Sequence, residues 1–192
     1  MNREQIKPAV LCFTALTLIT GIIYPLFVTV VAQLFFKNQA NGSIIFQNGK
    51  PVGSTLIGQT FDDPKYLWGR LSATSPVSFN AASSSGSNMG PLNPALIEMV
   101  KTRLNALKTS EPDNSKPVPV DLVTSSASGL DPHISLAAAY YQVPRIAQLR
   151  KLEQKEVKEI ITRNTRSRLL GLIGEPVVNV LQVNLELDTY KR

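Results

Sequence analysis

Pro8 to Phe36 runs for twenty-nine residues without a charge, closed by Lys7 on one side and Lys37 on the other. A helix rises about 1.5 Å per residue and a hydrocarbon core is about 30 Å thick, so about 20 apolar residues cross it. The stretch predicts one membrane-spanning helix over residues 8–36, with length left for tilt or a turn at the interface. Gly21 and Pro25 lie inside it. Membrane helices tolerate both where a Thr side chain or a neighbouring helix satisfies the freed backbone groups. Thr14, Ala15, Thr17, Thr20 and Gly21 are small enough to admit a partner helix, and serve equally well facing lipid. Val30-Val31-Ala32 resembles a signal cleavage site, but the apolar run before it exceeds the roughly 7–15 residues of a signal core, which favours an uncleaved anchor.

Beyond the anchor the pattern changes repeatedly. The apolar run Ile44-Ile45-Phe46 is followed by Asn48-Gly49, a hairpin signal because both turn residues need positive φ. Residues 51–57 return as an edge strand, limited to that place by Pro51. Residues 58–74 hold Phe61, Tyr66, Trp68 and Arg70 without clear period and read as an irregular packed loop. Residues 81–91 are a Ser- and Gly-rich surface loop. Asn93-Pro94 is a cap followed by a first-turn proline, and Leu96, Ile97, Val100, Leu104 and Leu107 give one helical face over 94–108. Residues 109–119 form a proline-bearing linker, and 118–124 are extended in character. Asp131-Pro132-His133 reads as a turn feeding a helix capped by Ser135, and Pro144 begins a second helical piece. Val157, Ile160 and Ile161 mark a third. Leu181, Val183, Leu185 and Leu187 alternate with polar residues, which predicts a half-buried strand over 177–187. Placing the early hairpin and this last strand in one sheet, with helices on one side, gives an α+β domain. The expected layout is a tail at 1–7, a single N-terminal transmembrane helix at 8–36 and one extracytoplasmic domain, with a small sheet and packed helices, at 37–192.

Charge bears on sidedness and partners. Arg3, Lys7 and the terminal amine lie before the helix, whereas only Lys37 follows closely, so the positive-inside tendency places the N-terminus in the cytoplasm and the domain outside. The only cysteine, Cys12, lies within the span, so the domain holds together without a disulfide. From Asn38 onward 17 Lys and Arg face 13 Asp and Glu, a net +4. The basic residues crowd between Arg145 and Arg168, a region suited to anionic headgroups, an acidic protein face or phosphate, or else a solvated helix face laced with pairs such as Glu153 with Lys151 and Lys155. Nucleic acid is disfavoured by the membrane tether and the lack of interleaved aromatics. A single histidine, His133, and no domain cysteine argue against zinc; Asp131 with backbone carbonyls is a thin basis for a hard cation. A Ser-His-Asp triad through His133 is formally possible, but no G-x-S-x-G elbow is present. Residues 84–90 and 125–129 are Gly- and Ser-rich like phosphate loops yet lack the G-x-x-x-x-G-K-[ST] pattern.

Several stretches together carry a resemblance: Gly53 to Gln59 (GSTLIGQ), Tyr66 to Thr74 (YLWGRLSAT), Ser85 to Pro94 (SGSNMGPLNP), Val118 to Ser135 (VPVDLVTSSASGLDPHIS), Gln142 to Ala147 with Arg150, and Gly174 to Asp188 (GEPVVNVLQVNLELD). With the single N-terminal span before them, the chain resembles the C-subunit family (KdpC) of the bacterial Kdp potassium-transporting ATPases. Leu71 departs from a common proline and Ser84 from a common glycine. The resemblance implies an accessory, non-catalytic subunit of the inner membrane. Its partners would be a channel-like potassium-binding subunit, a P-type ATPase subunit phosphorylated from ATP and a small membrane subunit, with potassium and magnesium handled by those partners. It also implies roles in assembly and as a catalytic chaperone that raises the ATP affinity of the ATPase subunit. If the domain itself meets nucleotide or a partner, Gln142, Arg145 and Arg150 are the candidate contacts. ATP is cytoplasmic and the expected domain is not, so an effect on ATP affinity would travel through the membrane subunits as a coupling free energy. The alternative is a free-standing, membrane-anchored periplasmic binding module or hydrolase.

Overall fold

The computed structural model describes residues 3–190. They fall into two units, one ending at Ile44 and the other beginning at Ile45.

The first unit is dominated by one continuous helical run: α1 (Arg3–Leu18), a π-helical stretch (Ile19–Ile23) and α2 (Tyr24–Phe35). Residues 4–35 are long and apolar enough to cross a membrane. The π stretch sits just before Pro25, which has no N–H and whose ring would crowd the carbonyl four residues back. Widening the turn moves that clash: Tyr24 donates its N–H to the Ile19 carbonyl, five residues back. Thr20 Oγ1 donates to the Leu16 carbonyl at 2.7 Å, a local satisfaction of the kind membrane helices use. A short helix, α3 (Lys37–Ala40), follows.

The second unit is α+β. The hairpin forms as the Asn-Gly signal predicts, with β1 (Ile44–Gln47) and β2 (Lys50–Ser54) joined through Asn48 at φ 51° and Gly49 at φ 76°. It is a sheet of its own and does not share one with the C-terminal strand. The other sheet has the order β3-β5-β4, antiparallel throughout, from β3 (His133–Ser135), β4 (Thr165–Arg166) and β5 (Val177–Asn179). Ile134 lies opposite Val178, and both are buried.

The helices follow their capping signals. Asn93 Oδ1 accepts from Ala95 N at 2.9 Å and opens α4 (Pro94–Ser110). Of its expected face only Leu107 is fully buried, while Ile97 stays exposed. Asp131 Oδ1 accepts from His133 N in the expected turn, and Ser135 Oγ caps α5 (Leu136–Tyr141) through Ala138 N. Pro144 does open a new helix, α6 (Val143–Arg150). Glu153 caps α7 (Gln154–Arg163) in a reciprocal box with Glu156. The stretch 118–124, expected to be extended, contains a 3-10 turn at Val120–Leu122 that buries Leu122.

The largest correction is at the end of the chain. The expected strand over 177–187 is a strand only to Asn179, whose Oδ1 then accepts from Gln182 N at 3.1 Å and starts α8 (Val180–Thr189). Val180, Val183, Asn184 and Leu187 are the buried i, i+3, i+4, i+7 stripe. Asn184 is polar, so an apolar alternation count skips it and sees period two. The core joins this stripe to Leu67, Ile146, Val157, Ile160 and Ile161.

Candidate functional site

The irregular segment 63–69 has no secondary structure of its own, yet Leu67 and Trp68 are buried. A buried loop must find partners for its peptide groups. Here side chains supply them. Seven consecutive carbonyls, Asp63 to Gly69, each accept a side-chain hydrogen bond: in order from Trp68 Nε1, Arg145, Arg150, Arg145, Asn184, Gln142 and Arg103.

Gln142 and Asn184 do this as paired amides. Gln142 Oε1 accepts from Trp68 N at 2.9 Å while its Nε2 donates to Trp68 O at 3.0 Å. Asn184 does the same for Leu67, at 2.8 and 2.9 Å. Each amide imitates one step of a β-ladder, so α5–α6 and α8 hold the loop as a neighbouring strand would.

Two guanidinium groups flank Trp68, with Arg103 Cζ 4.8 Å and Arg145 Cζ 4.7 Å from the ring centroid. Arg145 is only 2% exposed. It donates to Pro64 O, to Tyr66 O at 3.1 Å and to Gln142 Oε1 at 2.6 Å. Burial pushes its pKa down to about 10, against the attraction of Glu111, so it remains charged near neutrality. Glu111 Oε1 also accepts the Arg145 N–H at 3.1 Å. Arg150, at the other end of α6, reaches Lys65 O at 2.8 Å, Leu187 O at 2.9 Å and Asp188 Oδ1 at 2.8 Å, and lies 5.0 Å over Tyr66. Tyr66 donates its hydroxyl to Asp188 Oδ2 at 3.0 Å. Burial, then the hydrogen bond and charge of Asp188, raise the Tyr66 pKa.

The three residues singled out from sequence therefore converge, but on this loop. Gln142 and Arg145 are enclosed with protein partners, and Arg150 is engaged by four groups. Arg103, Asn184 and Glu111 belong to the same clamp and were not singled out; a lone Asn in an apolar run was the one available signal. Two residues of the wider basic stretch are ion-paired as well, Arg163 of α7 with Glu186 of α8 at 2.6 Å and Arg168 with Glu175 inside the β4–β5 connection at 2.7 Å.

The two Gly- and Ser-rich loops lie against each other. Ser85 N and Ser84 Oγ donate to Ser128 O, Gly129 N donates to Ser126 O, and Ser126 N donates to Leu71 O. Their glycines allow close backbone approach: a Cβ at Gly86 would lie 2.6 Å from Ala127 O, and one at Gly129 2.5 Å from Ser85 O. Ser72 Oγ donates to Gly129 O at 2.7 Å and completes the contact.

Asp131 sits between Arg70 Nη1 at 3.2 Å and His133 Nδ1 at 3.4 Å. Its burial works against ionisation, but hydrogen bonds from the His133 side chain and backbone, with the charges of His133 and Arg70, outweigh it and lower the carboxyl pKa. A carboxylate lowered in the folded state stabilises fully above its unfolded value, about 3.9, and that contribution disappears as pH falls through the folded value. The Asp131→Asn variant is expected to be less stable than the parent at pH 7 and to lose less on acidification below about pH 4. Thermal unfolding across that range checks both. Among the described residues no group of three or more His, Cys, Asp or Glu forms a metal cluster.

Comparison with known proteins completes the description. A family model described as "K+-transporting ATPase, c chain" (KdpC) matches residues 6–189. A potassium-transporting ATPase KdpC subunit of Dechloromonas aromatica is 56% identical over 190 residues, 99% of this chain and 100% of its own. Its counterpart in Herpetosiphon aurantiacus is 57% identical over 98% of both chains. That of Burkholderia orbicola is 58% identical over 97% of this chain and 96% of its own.

Proposed function

Because the chain belongs to the KdpC family, the c chains of K+-transporting ATPases, we propose that it is the accessory subunit of an ATP-driven potassium-uptake complex, carrying no catalytic step of its own. It is held in the bacterial inner membrane by the 4–35 helix, N-terminus inside and domain outside the cytoplasm. Its partners are the channel-like potassium-binding subunit, the P-type ATPase subunit and a small membrane subunit. Its work is to stabilise the assembled complex as a structural cap. Any rise in ATP affinity reaches the ATPase subunit as coupling through the membrane subunits.

The observation that carries this reading is where the cationic and amide side chains point. Gln142, Arg145 and Arg150, the residues best suited to a nucleotide, are directed at the backbone of residues 64–68. They act as positioning residues that give the domain a fixed surface. A potassium-facing cap of net charge +4 would need its acidic groups turned to the cation path, so a scaffold role suits the charge better than a cation funnel.

Sidedness tests the reading. Ser83 is exposed, and Ser83→Cys in a Cys12→Ser background supplies a single thiol. Labelling of intact cells by an impermeant thiol reagent is the expected result. Labelling only after permeabilisation would place the domain with cytoplasmic ATP and restore direct nucleotide contact. In parallel, the detergent-extracted chain is expected to co-purify with two large membrane subunits. Migration as a separate species would favour the free-standing module.

A further inference from the structure

The segment between β4 and β5 ends in an apolar tip that none of the roles above uses. Leu169, Leu170, Leu172 and Ile173 are 65%, 85%, 84% and 64% exposed. Water is a costly environment for four adjacent large aliphatic side chains, and a contiguous patch of this kind marks a contact with something apolar. Its backbone is closed on itself. Leu169 N donates to Ile173 O and Ile173 N donates back to Leu169 O, at 2.9 and 3.0 Å. Leu172 N donates to Leu169 O and Gly171 N to Arg168 O. Four of the five N–H groups from 169 to 173 thus have partners within the tip.

That closure bears on what covers the patch. A protein groove or a sheet edge can satisfy open peptide groups, whereas hydrocarbon cannot, so a segment entering lipid must satisfy its own. The tip also bends through Leu170 at φ 53° and Gly171 at φ 75°. A leucine in the left-handed region is disfavoured on its own account, and such strain collects at working positions. The tip's N-terminal side carries Arg166 and Arg168, both exposed; Glu175 at 2.7 Å neutralises Arg168, so Arg166 is the cation placed for an anionic phosphate headgroup above an inserted apolar wedge.

We propose that the Leu169–Ile173 tip is a second membrane contact, inserting its aliphatic side chains into the interface of a bilayer rich in anionic phospholipid while Arg166 engages the headgroups. The inference rests on the reading that the chain is membrane-anchored. It would give the domain a bilayer contact of its own.

The test uses the full chain reconstituted in vesicles of phosphatidylglycerol and phosphatidylcholine, with the same composition in both leaflets. Leu172→Trp adds a reporter to Trp68, the natural tryptophan, which is buried and supplies a constant background. Flotation with the vesicles reports the anchor itself, so its failure is seen separately. The expected result is a blue-shifted signal from the added tryptophan that brominated acyl chains largely quench. Leu169→Glu in the Leu172→Trp background is expected to abolish both effects while flotation and Trp68 emission stay unchanged. A water-like emission from the Leu172→Trp reporter in a folded, vesicle-bound chain overturns the proposal. So does a shift that appears only with the partner subunits present and ignores bromine, which would assign the tip to a protein groove.

Discussion

Replacing Gln142 with leucine is expected to cost the domain about 3–5 kcal/mol, the largest effect of any single change in the clamp. Leucine keeps the volume but leaves Trp68 N and O buried without partners, at about 1–3 kcal/mol for each group. Arg145 loses its 2.6 Å acceptor as well, so a buried charge becomes less well satisfied. Gln142→Glu is expected to be milder. It retains an acceptor for Trp68 N and for Arg145, losing only the donor to the Trp68 and Ala138 carbonyls. Denaturant unfolding of the full chain in mild detergent, followed by Trp68 fluorescence, measures the difference. A loss below about 1 kcal/mol for the leucine variant would mean that the Trp68 peptide groups find other partners and that the clamp is not the source of order in this loop.

The second large effect concerns Gly129. Its φ of +67° already disfavours any side chain by about 1–2 kcal/mol. A methyl group there would also lie 2.5 Å from the Ser85 carbonyl oxygen and 2.6 Å from Thr74 Cγ2. The first of these is backbone and cannot rotate away. Gly129→Ala is therefore expected to destabilise by about 2–4 kcal/mol and to separate the loop at 84–86 from the loop at 126–129. Gly86→Ala attacks the same contact through Ala127 O. Having already lost the contact in one variant, the chain should lose little more in the other, so the double variant should fall short of the sum. Unfolding measurements on both single variants and the double variant close the cycle. Strict additivity would show that the two loops do not stabilise one another.

These two predictions differ in how far the sequence alone leads to them. Much was written locally. The charge-free run from Pro8 to Phe36 is enough to make a helix that can cross a membrane, because length and apolarity are the only requirements. Asn48-Gly49, Asn93-Pro94, Ser135 and Pro144 fix a turn and three helix starts, because caps and turns act between near neighbours. The run from Val118 to Ser135 is the most specific of the stretches that together point to the family.

Other features depend on residues far apart in the chain. Gln142 and Trp68 lie seventy-four positions apart, and Asn184 and Leu67 one hundred and seventeen. No period along the sequence announces that an amide will replace a strand. The same ignorance turned α8 into an expected strand: Asn184 belongs to the buried face only because Leu67 offers it two peptide groups. Arg145 and Arg150 show the limit most clearly. As sequence they are cations free to meet phosphate. The packing of α6 against the 63–69 loop makes them donors to carbonyls, because a buried loop must have its peptide groups satisfied and these were the groups within reach. Sequence determined a helix able to cross a membrane, the helix starts and the family; tertiary structure alone decided which polar residues face inward, since that choice is made by distant backbone rather than by neighbours in the chain.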